Sequence, residues 1–151
     1  MVVAIIAILM AIAIPNILGA LHRARQKRTM ADMRAIALAW EARKVEAVGY
    51  NAAGYELLPN PVSNEQLQGG LVPTYIRILP SKDGWGNPLG FGTDEEWGGD
   101  TEATSYQIIS GGRDGVFNAS VPIGPTTHYD CDIVFHGGTF IVFPEGVQAG
   151  S

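Results

Sequence analysis

The first residues of the chain, 1–21, form an almost purely apolar run, MVVAIIAILMAIAIPNILGAL, without a charged side chain. Only Pro15, Asn16 and Gly19 interrupt the Ala, Ile, Val, Leu and Met residues. A helix of this length spans roughly 30 Å, which is about the thickness of the hydrocarbon core of a bilayer. We therefore expect residues 1–21 to lie in lipid, in a bundle of similar helices, or in each at different times.

The following residues, 22–48, continue the helix with a different pattern. This stretch has neither Pro nor Gly and is rich in Ala, Met, Leu, Arg and Glu, which favour helices. Its apolar side chains recur at spacings of three and four, which makes this half amphipathic. They are Met30, Met33, Ile36 or Ala37, and Trp40. We predict one helix over residues 1–48 that stops at Gly49 and kinks or locally unwinds just before Pro15.

Residues 49–88 are predicted to be a long connection with little regular structure. Ser63 and Gln66 have the spacing of a capping box, which predicts one short helix over residues 64–69. The sequence DGWGNP, from Asp83 to Pro88, is typical of a turn cluster. We expect its tryptophan to fill the core beneath this loop.

Residues 89–151 are predicted to form a β-sheet head that ends in a C-terminal loop, because the periodicity there changes from helical to two-fold. Four short runs are rich in Ile, Val, Phe and Tyr. They are Leu89–Gly92, Thr104–Ser110, Asp132–His136 and Thr139–Phe143. A two-residue link, Gly137–Gly138, predicts a hairpin between the last two. The predicted fold class is α+β, with the second half of the long helix covering a small four-stranded antiparallel sheet.

The charge is divided between the two parts of the chain. The net charge of −5 combines +4 in residues 1–48, which hold seven basic and three acidic side chains, with −9 in residues 49–151, which hold three and twelve. An acidic second part argues against nucleic acid as a partner and is compatible with bound cations. The single cysteine, Cys131, excludes an internal disulfide.

Recognisable catalytic residues are absent from the sequence. We find no Ser/His/Asp or Cys/His arrangement, no phosphate-binding loop and no paired-carboxylate site. The three histidines do not have the spacing of metal ligands. The sequence therefore predicts a protein that is not an enzyme.

The position of the basic residues raises a question of orientation. His22, Arg23, Arg25, Lys27 and Arg28 all follow the apolar run, and no basic residue precedes it. The positive-inside rule alone would place the second part of the chain in the cytoplasm. A cleaved signal peptide is disfavoured because it needs a basic segment before its apolar core. An external head would require that a more basic leader once preceded Met1.

The motifs resemble those of one protein superfamily in the expected order. The run VVAIIAILMAIAIPN, a basic stretch and TMADMRAIALAWEA look like the N-terminal helix of type IV pilins and of type II secretion pseudopilins. The segments LPSKDGWGNP, SYQIISGGRDG and DIVFHGGTFIVFPEG resemble the head of the major pseudopilin group, often called protein G, and of pilins built on the same head. The resemblance covers most of the chain and implies a pilin-like fold.

The resemblance also implies a function without catalysis. Pilins wait in the inner membrane with their heads in the periplasm until an ATP-driven assembly machine packs their helices into the core of an extracellular filament, the type IV pilus or fimbrium. The first interpretation is therefore a structural subunit of such a homo-oligomeric filament. The alternative is the major pseudopilin of a type II secretion system, whose short periplasmic filament drives protein export. A third is a bitopic membrane protein with a periplasmic binding head.

The start of the chain departs from the family pattern. Family members are made with a short basic leader, which prepilin peptidase removes before a residue that then undergoes methylation. Alignment on Ile14 and Pro15 leaves that leader and about seven mature residues absent before Met1, which would explain the question of orientation. The cleavage site, the methylated residue and the family's buried glutamate therefore correspond to no residue of this sequence.

Two sets of residues are implied by position in the family. The first would form the filament core, with unwinding of the helix from Ala7 to Pro15: Ile5, Ile6, Ala7, Ile8, Leu9, Ile12, Ile14 and Pro15. The second would bind calcium, as in protein G pseudopilins, through the carbonyl of Gly111 and the carboxylates of Asp114, Asp130 and Asp132. The alternative is that Asp114 forms an ordinary turn and the other two carboxylates are solvated. Separately, Asn118 begins a glycosylation sequon, Asn-Ala-Ser.

Overall fold

The computed structural model describes residues 2–46, 60–98, 103–118 and 122–149, apart from the side chains of residues 12–16. These residues form two helices and six strands. The helices are α1 (Val2–Glu46) and α2 (Asn64–Leu71). The strands are β1 (Asn60–Pro61), β2 (Gly90–Thr93), β3 (Tyr106–Ser110), β4 (Gly124–His128), β5 (Ile133–His136) and β6 (Thr139–Ala149).

The long helix α1 has 45 residues and passes through Pro15 as one continuous element, so local unwinding is not seen there. The predicted helix end, at 47–49, lies outside the described residues. Its first part, residues 2–21, is called the stem below. The rest of α1, the sheet, α2 and their loops are called the globular domain.

The amphipathic half of α1 covers the sheet, as its pattern predicted. Met33, Ile36, Ala37 and Trp40 are buried, and Met30 packs at the edge of the same cluster. The indole of Trp40 is fully buried and lies 5.0 Å, between ring centroids, from the ring of Tyr106 on β3. This apolar contact fixes α1 on one face of the sheet.

The predicted fold class was wrong about the sheet, which has six strands in the order β1-β2-β3-β5-β6-β4. It is mixed rather than antiparallel, because β4 pairs with β6 in parallel while the other pairs are antiparallel. Strand β4 reads Gly-Pro-Thr-Thr-His and shows no apolar alternation, so its sequence does not indicate a strand. It becomes a strand because the extended β6 offers it a backbone edge, with Pro125 opposite Phe143.

Two local predictions are confirmed. The hairpin between β5 and β6 turns at Gly137 and Gly138, whose φ angles of 53° and 89° suit the two-residue turn that places His136 opposite Thr139. Helix α2 begins with the predicted capping box, since Ser63 and Gln66 each bond the other's backbone N–H. It extends to Leu71, two residues further than predicted.

Candidate functional site

The stem exposes its apolar side chains on every side. The large ones are 43% to 81% exposed: Val2, Val3, Ile5, Ile6, Ile8, Leu9, Met10, Ile17, Leu18 and Leu21. Because a helix turns by about 100° per residue, the exposed apolar side chains between Val2 and Leu21 together point in all directions around it, so no single face is apolar. An exposed apolar surface of this kind marks an interaction site.

The residues predicted to form a filament core lie on this stem. Ile5, Ile6, Ala7, Ile8 and Leu9 are exposed, as a subunit contact requires in the free chain. Ile12, Ile14 and Pro15 belong to α1, but their side chains are outside the described residues. Among the side chains that are described, a set that omits residues 12–16 of the stem, no helix is both long and apolar enough to cross a membrane.

Just beyond the stem, helix α1 contacts the turn cluster Asp83–Pro88 through its backbone. The backbone N–H of Gly84 donates to Oγ1 of Thr29 at 2.9 Å, and that hydroxyl donates to the carbonyl of Arg25 at 3.0 Å. A Cβ atom on Gly84 would lie 2.4 Å from the carbonyl oxygen of Arg25. Glycine is therefore required here because the turn touches the helix backbone directly.

The carboxylate of Asp83 holds the turn in shape. Its Oδ1 accepts the backbone N–H groups of Trp85 and Asn87, each at 2.9 Å, and its Oδ2 accepts the hydroxyl of Ser110 at 2.8 Å. The amide of Asn87 donates to the carbonyl of Gly112 at 2.9 Å. Since Asp83 is buried, these charge-assisted bonds link the turn firmly to the end of β3.

An aromatic contact lies where the stem ends. The indole N–H of Trp85 donates to Nδ1 of His22 at 3.3 Å, and the hydroxyl of Tyr129 donates to the carbonyl of Gly19 at 3.2 Å. The rings of His22 and Tyr129 are 5.0 Å apart. Trp85 is only half-buried, so the prediction that it fills the core was wrong.

A second contact to α1 comes from the C-terminal strand. Buried Gln26 donates to the side-chain oxygen of Gln148 at 3.2 Å. The amide nitrogen of Gln148 then donates to the carbonyls of Thr126 and Glu145. These bonds tie α1, β4 and β6 together. We name the contacts of residues 19–29 with the turn 83–88 and with Tyr129 and Gln148 the junction.

The polar residues of the junction on α1 were not predicted from the sequence. Gln26 and Thr29 are both buried, although neither residue type is usually found inside. They lie seven and four residues before Met33, so they share its face of the helix. Their position in line with the apolar stripe was the signal from which their burial could have been predicted.

One residue of the predicted calcium set is engaged by a basic side chain. Both oxygens of the Asp130 carboxylate accept bonds from the guanidinium of Arg113, at 2.6 Å from Nε and 2.8 Å from Nη2. This bidentate bond lowers the pKa of Asp130 below its ordinary value. Because both of its oxygens are bonded to Arg113, Asp130 is not a free ligand for calcium.

The other two carboxylates of the set, Asp114 and Asp132, are held by hydrogen bonds within their own loops. Asp132 is 2% exposed and accepts the backbone N–H of Asn118 at 2.9 Å and its side-chain N–H at 3.0 Å. Burial raises the pKa of Asp132, and the negative charge of Asp114 raises it further. Asp114 forms the turn of the alternative interpretation, because its Oδ1 accepts the N–H of Val116 at 3.0 Å.

The predicted set therefore fits a calcium ion in part. A cation would relieve the repulsion between Asp114 and Asp132, and these two with the carbonyl of Gly111 would supply the hard oxygen ligands that calcium prefers. Within the described ranges, no group of three or more His, Cys, Asp or Glu side chains is placed to hold a metal ion. Calcium binding stays a prediction.

Asn118, the predicted glycosylation site, is exposed, but its side chain is hydrogen-bonded. Its side-chain nitrogen donates to Asp132 and, at 3.4 Å, to the carbonyl of Val116. A sugar on this nitrogen would compete with those bonds. The serine of the sequon, Ser120, lies outside the described residues, and glycosylation stays a prediction.

The chain was compared with known proteins at three levels. No protein-family model, no curated protein and no solved structure matches it.

Proposed function

We propose that this chain is a structural, non-enzymatic subunit of a type IV pilus-like extracellular filament, in which the stems form the core and the globular domains lie outside. The single observation that carries the proposal is the stem, whose apolar side chains are exposed in every direction. The resemblance of the stem and of three later segments to pilins and pseudopilins supports the same conclusion.

Such a stem is stable only where its apolar side chains are sheltered from water. Burying one Ile or Leu side chain contributes about 1.5–3 kcal/mol, so a stem exposed to water is strongly unfavourable. The inner membrane would shelter it before assembly, and a bundle of other stems would shelter it afterwards. Because a rotation and a rise relate the copies, the interface does not close, and a helical filament results.

The junction serves this function by fixing the direction of the stem. Gly84, Tyr129 and Gln148 each contact residues 19–29 of α1, from different elements of the globular domain. A subunit with a fixed stem keeps the same spacing between core and surface in each copy. Regular assembly therefore depends on the junction as well as on the stem.

A second candidate is the major pseudopilin of a type II secretion system. One observation favours it: the negative charge of Asp114 helps to raise the pKa of Asp132, and both residues lie in the segments that resemble the calcium-binding region of protein G pseudopilins. A filament of that kind is short and periplasmic and drives protein export. The physical role of the stem is the same in both candidates.

Cryo-EM of filaments sheared from the cell surface tests the proposal. We expect a helical map with α1 at the axis and the six-stranded domain on the outside. If sheared filaments lack this chain while it stays in the inner membrane under assembly conditions, the pilus proposal is wrong. Short filaments that appear only in the periplasm would support the secretion alternative.

A further inference from the structure

A cleft of about 170 Å³ lies between α1 and β6, immediately after the stem. Arg23 and Lys27 line it on the helix side, and Pro144, Gly146 and Gln148 line it on the strand side. Arg23 and Lys27 are both exposed and are four residues apart, so they lie on the same face of α1. The cleft therefore presents two positive charges side by side.

The charges of the cleft are not neutralised by its polar wall. The side-chain amide of Gln148 is used by Gln26, Thr126 and Glu145. The nearest ion pair along the helix joins Arg28, not Lys27, to Asp32, at 3.6 Å. Among the described residues, no ion pair involves Arg23 or Lys27. A ligand for this cleft must bring negative charge.

The distance from the stem indicates what that ligand is. At about 1.5 Å per residue, Arg23 and Lys27 lie roughly 3 Å and 9 Å beyond Leu21, the last apolar residue of the stem. The headgroup layer on each side of a bilayer is about 5–7 Å thick. With the stem in lipid, Arg23 therefore lies at the depth of the phosphate groups. Lys27 lies just beyond the headgroup layer, and its long side chain can reach back because helical side chains tilt toward the N-terminus.

We infer that the cleft between Arg23, Lys27 and β6 binds the phosphate of an anionic phospholipid headgroup while the subunit is in the membrane. The inference rests on the proposed function, because it requires the stem to be in lipid. The guanidinium of Arg23 offers a fork of donors to two phosphate oxygens, and the ammonium of Lys27 supplies a point charge. The headgroup is released when the stem leaves the membrane.

The test measures binding of the full chain, diluted from detergent, to two kinds of vesicle by flotation. One kind is pure phosphatidylcholine, which has no net charge. The other also contains the anionic lipid phosphatidylglycerol, in the proportion found in an anionic membrane. We expect tighter binding to the anionic vesicles, by about fivefold for each basic residue, and loss of this preference in R23Q/K27Q. Free glycerol 3-phosphate should compete weakly, because it lacks the anchored acyl chains.

The matched control is R28Q/R77Q, which removes two exposed positive charges outside the cleft. It should keep most of the preference for anionic vesicles, with an unchanged circular dichroism spectrum in both double variants. Equal loss in the two double variants would show general attraction and would overturn the inference. Full competition by glycerol 3-phosphate would assign the cleft to a free phosphate compound instead.

Two further outcomes separate this inference from the proposed function. If the wild-type chain binds both vesicle types equally, the headgroup site is wrong while the membrane stage stands. If it binds neither, the membrane stage of the proposed function fails and the inference fails with it. If R23Q/K27Q binds like the wild type but does not form filaments, the two cations contact another subunit and not a lipid.

Discussion

Gly84 donates its backbone N–H to Oγ1 of Thr29 over 2.9 Å, although 55 residues separate them in the chain. The contact brings a turn of the globular domain onto the backbone of α1, just beyond the stem. The approach is so close that a Cβ atom on Gly84 would lie 2.4 Å from the carbonyl oxygen of Arg25. The position of the stem therefore depends on this contact together with those of Tyr129 and Gln148.

Replacement of this glycine should loosen the junction. In Gly84→Ala the new methyl group cannot fit, and we expect a loss of about 1–3 kcal/mol in the free energy of unfolding of the globular domain, measured with urea. Gly69→Ala is the control, since a Cβ there meets nothing within 4 Å and alanine favours the helix α2. Equal stability of the two variants would contradict the role of Gly84.

Stem contacts are predicted to control assembly without affecting folding. Ile8→Lys places a charge on a side chain that is 63% exposed in the free chain but buried in the proposed filament core. Because an unpaired buried charge costs several kcal/mol, we expect filament yield to fall by roughly tenfold or more, at an unchanged melting temperature. Yield is measured by shearing and sedimentation.

The matched control is Val45→Lys, at the other end of the same helix. Val45 is 86% exposed and belongs to the globular domain, so a lysine there stays in water. Filaments should form as in the wild type. Wild-type yield from Ile8→Lys would show that the stem is not in the filament core.

The pair Arg113–Asp130 predicts a dependence of stability on pH. The bond to Arg113 lowers the pKa of Asp130 in the folded state, so its contribution is present above the unfolded pKa of about 3.9 and is lost as the pH falls through the lower folded value. Asp130→Asn should therefore melt at a lower temperature than the wild type at pH 7, and the difference should shrink as the pH falls below about 3.9.

Two controls identify the pair as the cause. Arg113→Gln should reproduce the effect, and the two changes combined should cost less than their sum. The pair is partly exposed, so 1 M salt should reduce the difference. Asp132 contributes with the opposite sign, because burial raises its pKa and favours the folded state at low pH. A difference for Asp130→Asn that does not shrink as the pH falls below about 3.9 would contradict the assignment.

Calcium should stabilise the globular domain if the predicted site is real. A ligand at 100 times its Kd stabilises the folded state by about 2.7 kcal/mol, so chelation with EGTA should lower the melting temperature measurably. Asp114→Asn keeps an oxygen to accept the N–H of Val116 but removes a charge, and it should abolish the response. No change with EGTA in the wild type would rule out calcium.

The strands that contain Ile, Val, Phe or Tyr were largely predictable from the sequence, and the strands without these residues were not. The predicted runs Thr139–Phe143 and Asp132–His136 correspond to β6 and β5, because they are short runs of the Ile, Val and Phe residues that favour strands. β6 continues to Ala149, however, through Pro144 and Gly146, which disfavour strands. It does so because β4 pairs with this half, a contact that local patterns do not encode.

The candidate site, too, was predictable from the sequence only in part. The exposure of Ile5 to Leu9 was predictable from the sequence, because an apolar run of that length has no polar face that could turn toward water. The pairing of Asp130 with Arg113 was not predictable, although both lie in segments that we had connected with calcium. The pairing requires that the loop after β3 meets the loop before β5 at the same end of these two strands. Gly112 passes close to the backbone of Cys131 there.

By itself, the sequence determined the long helix, its change from an apolar stem to an amphipathic half, the capped helix α2 and the glycine hairpin. Each depends on residues within a few positions of one another, where periodicity and backbone preference act. Only the tertiary structure decided the six-stranded mixed sheet, the contact of Gly84 with Thr29 and the partner of each acidic side chain. These features depend on backbone pairing and on close approach between distant segments. Several different local sequences can make such contacts, so no local pattern predicts them.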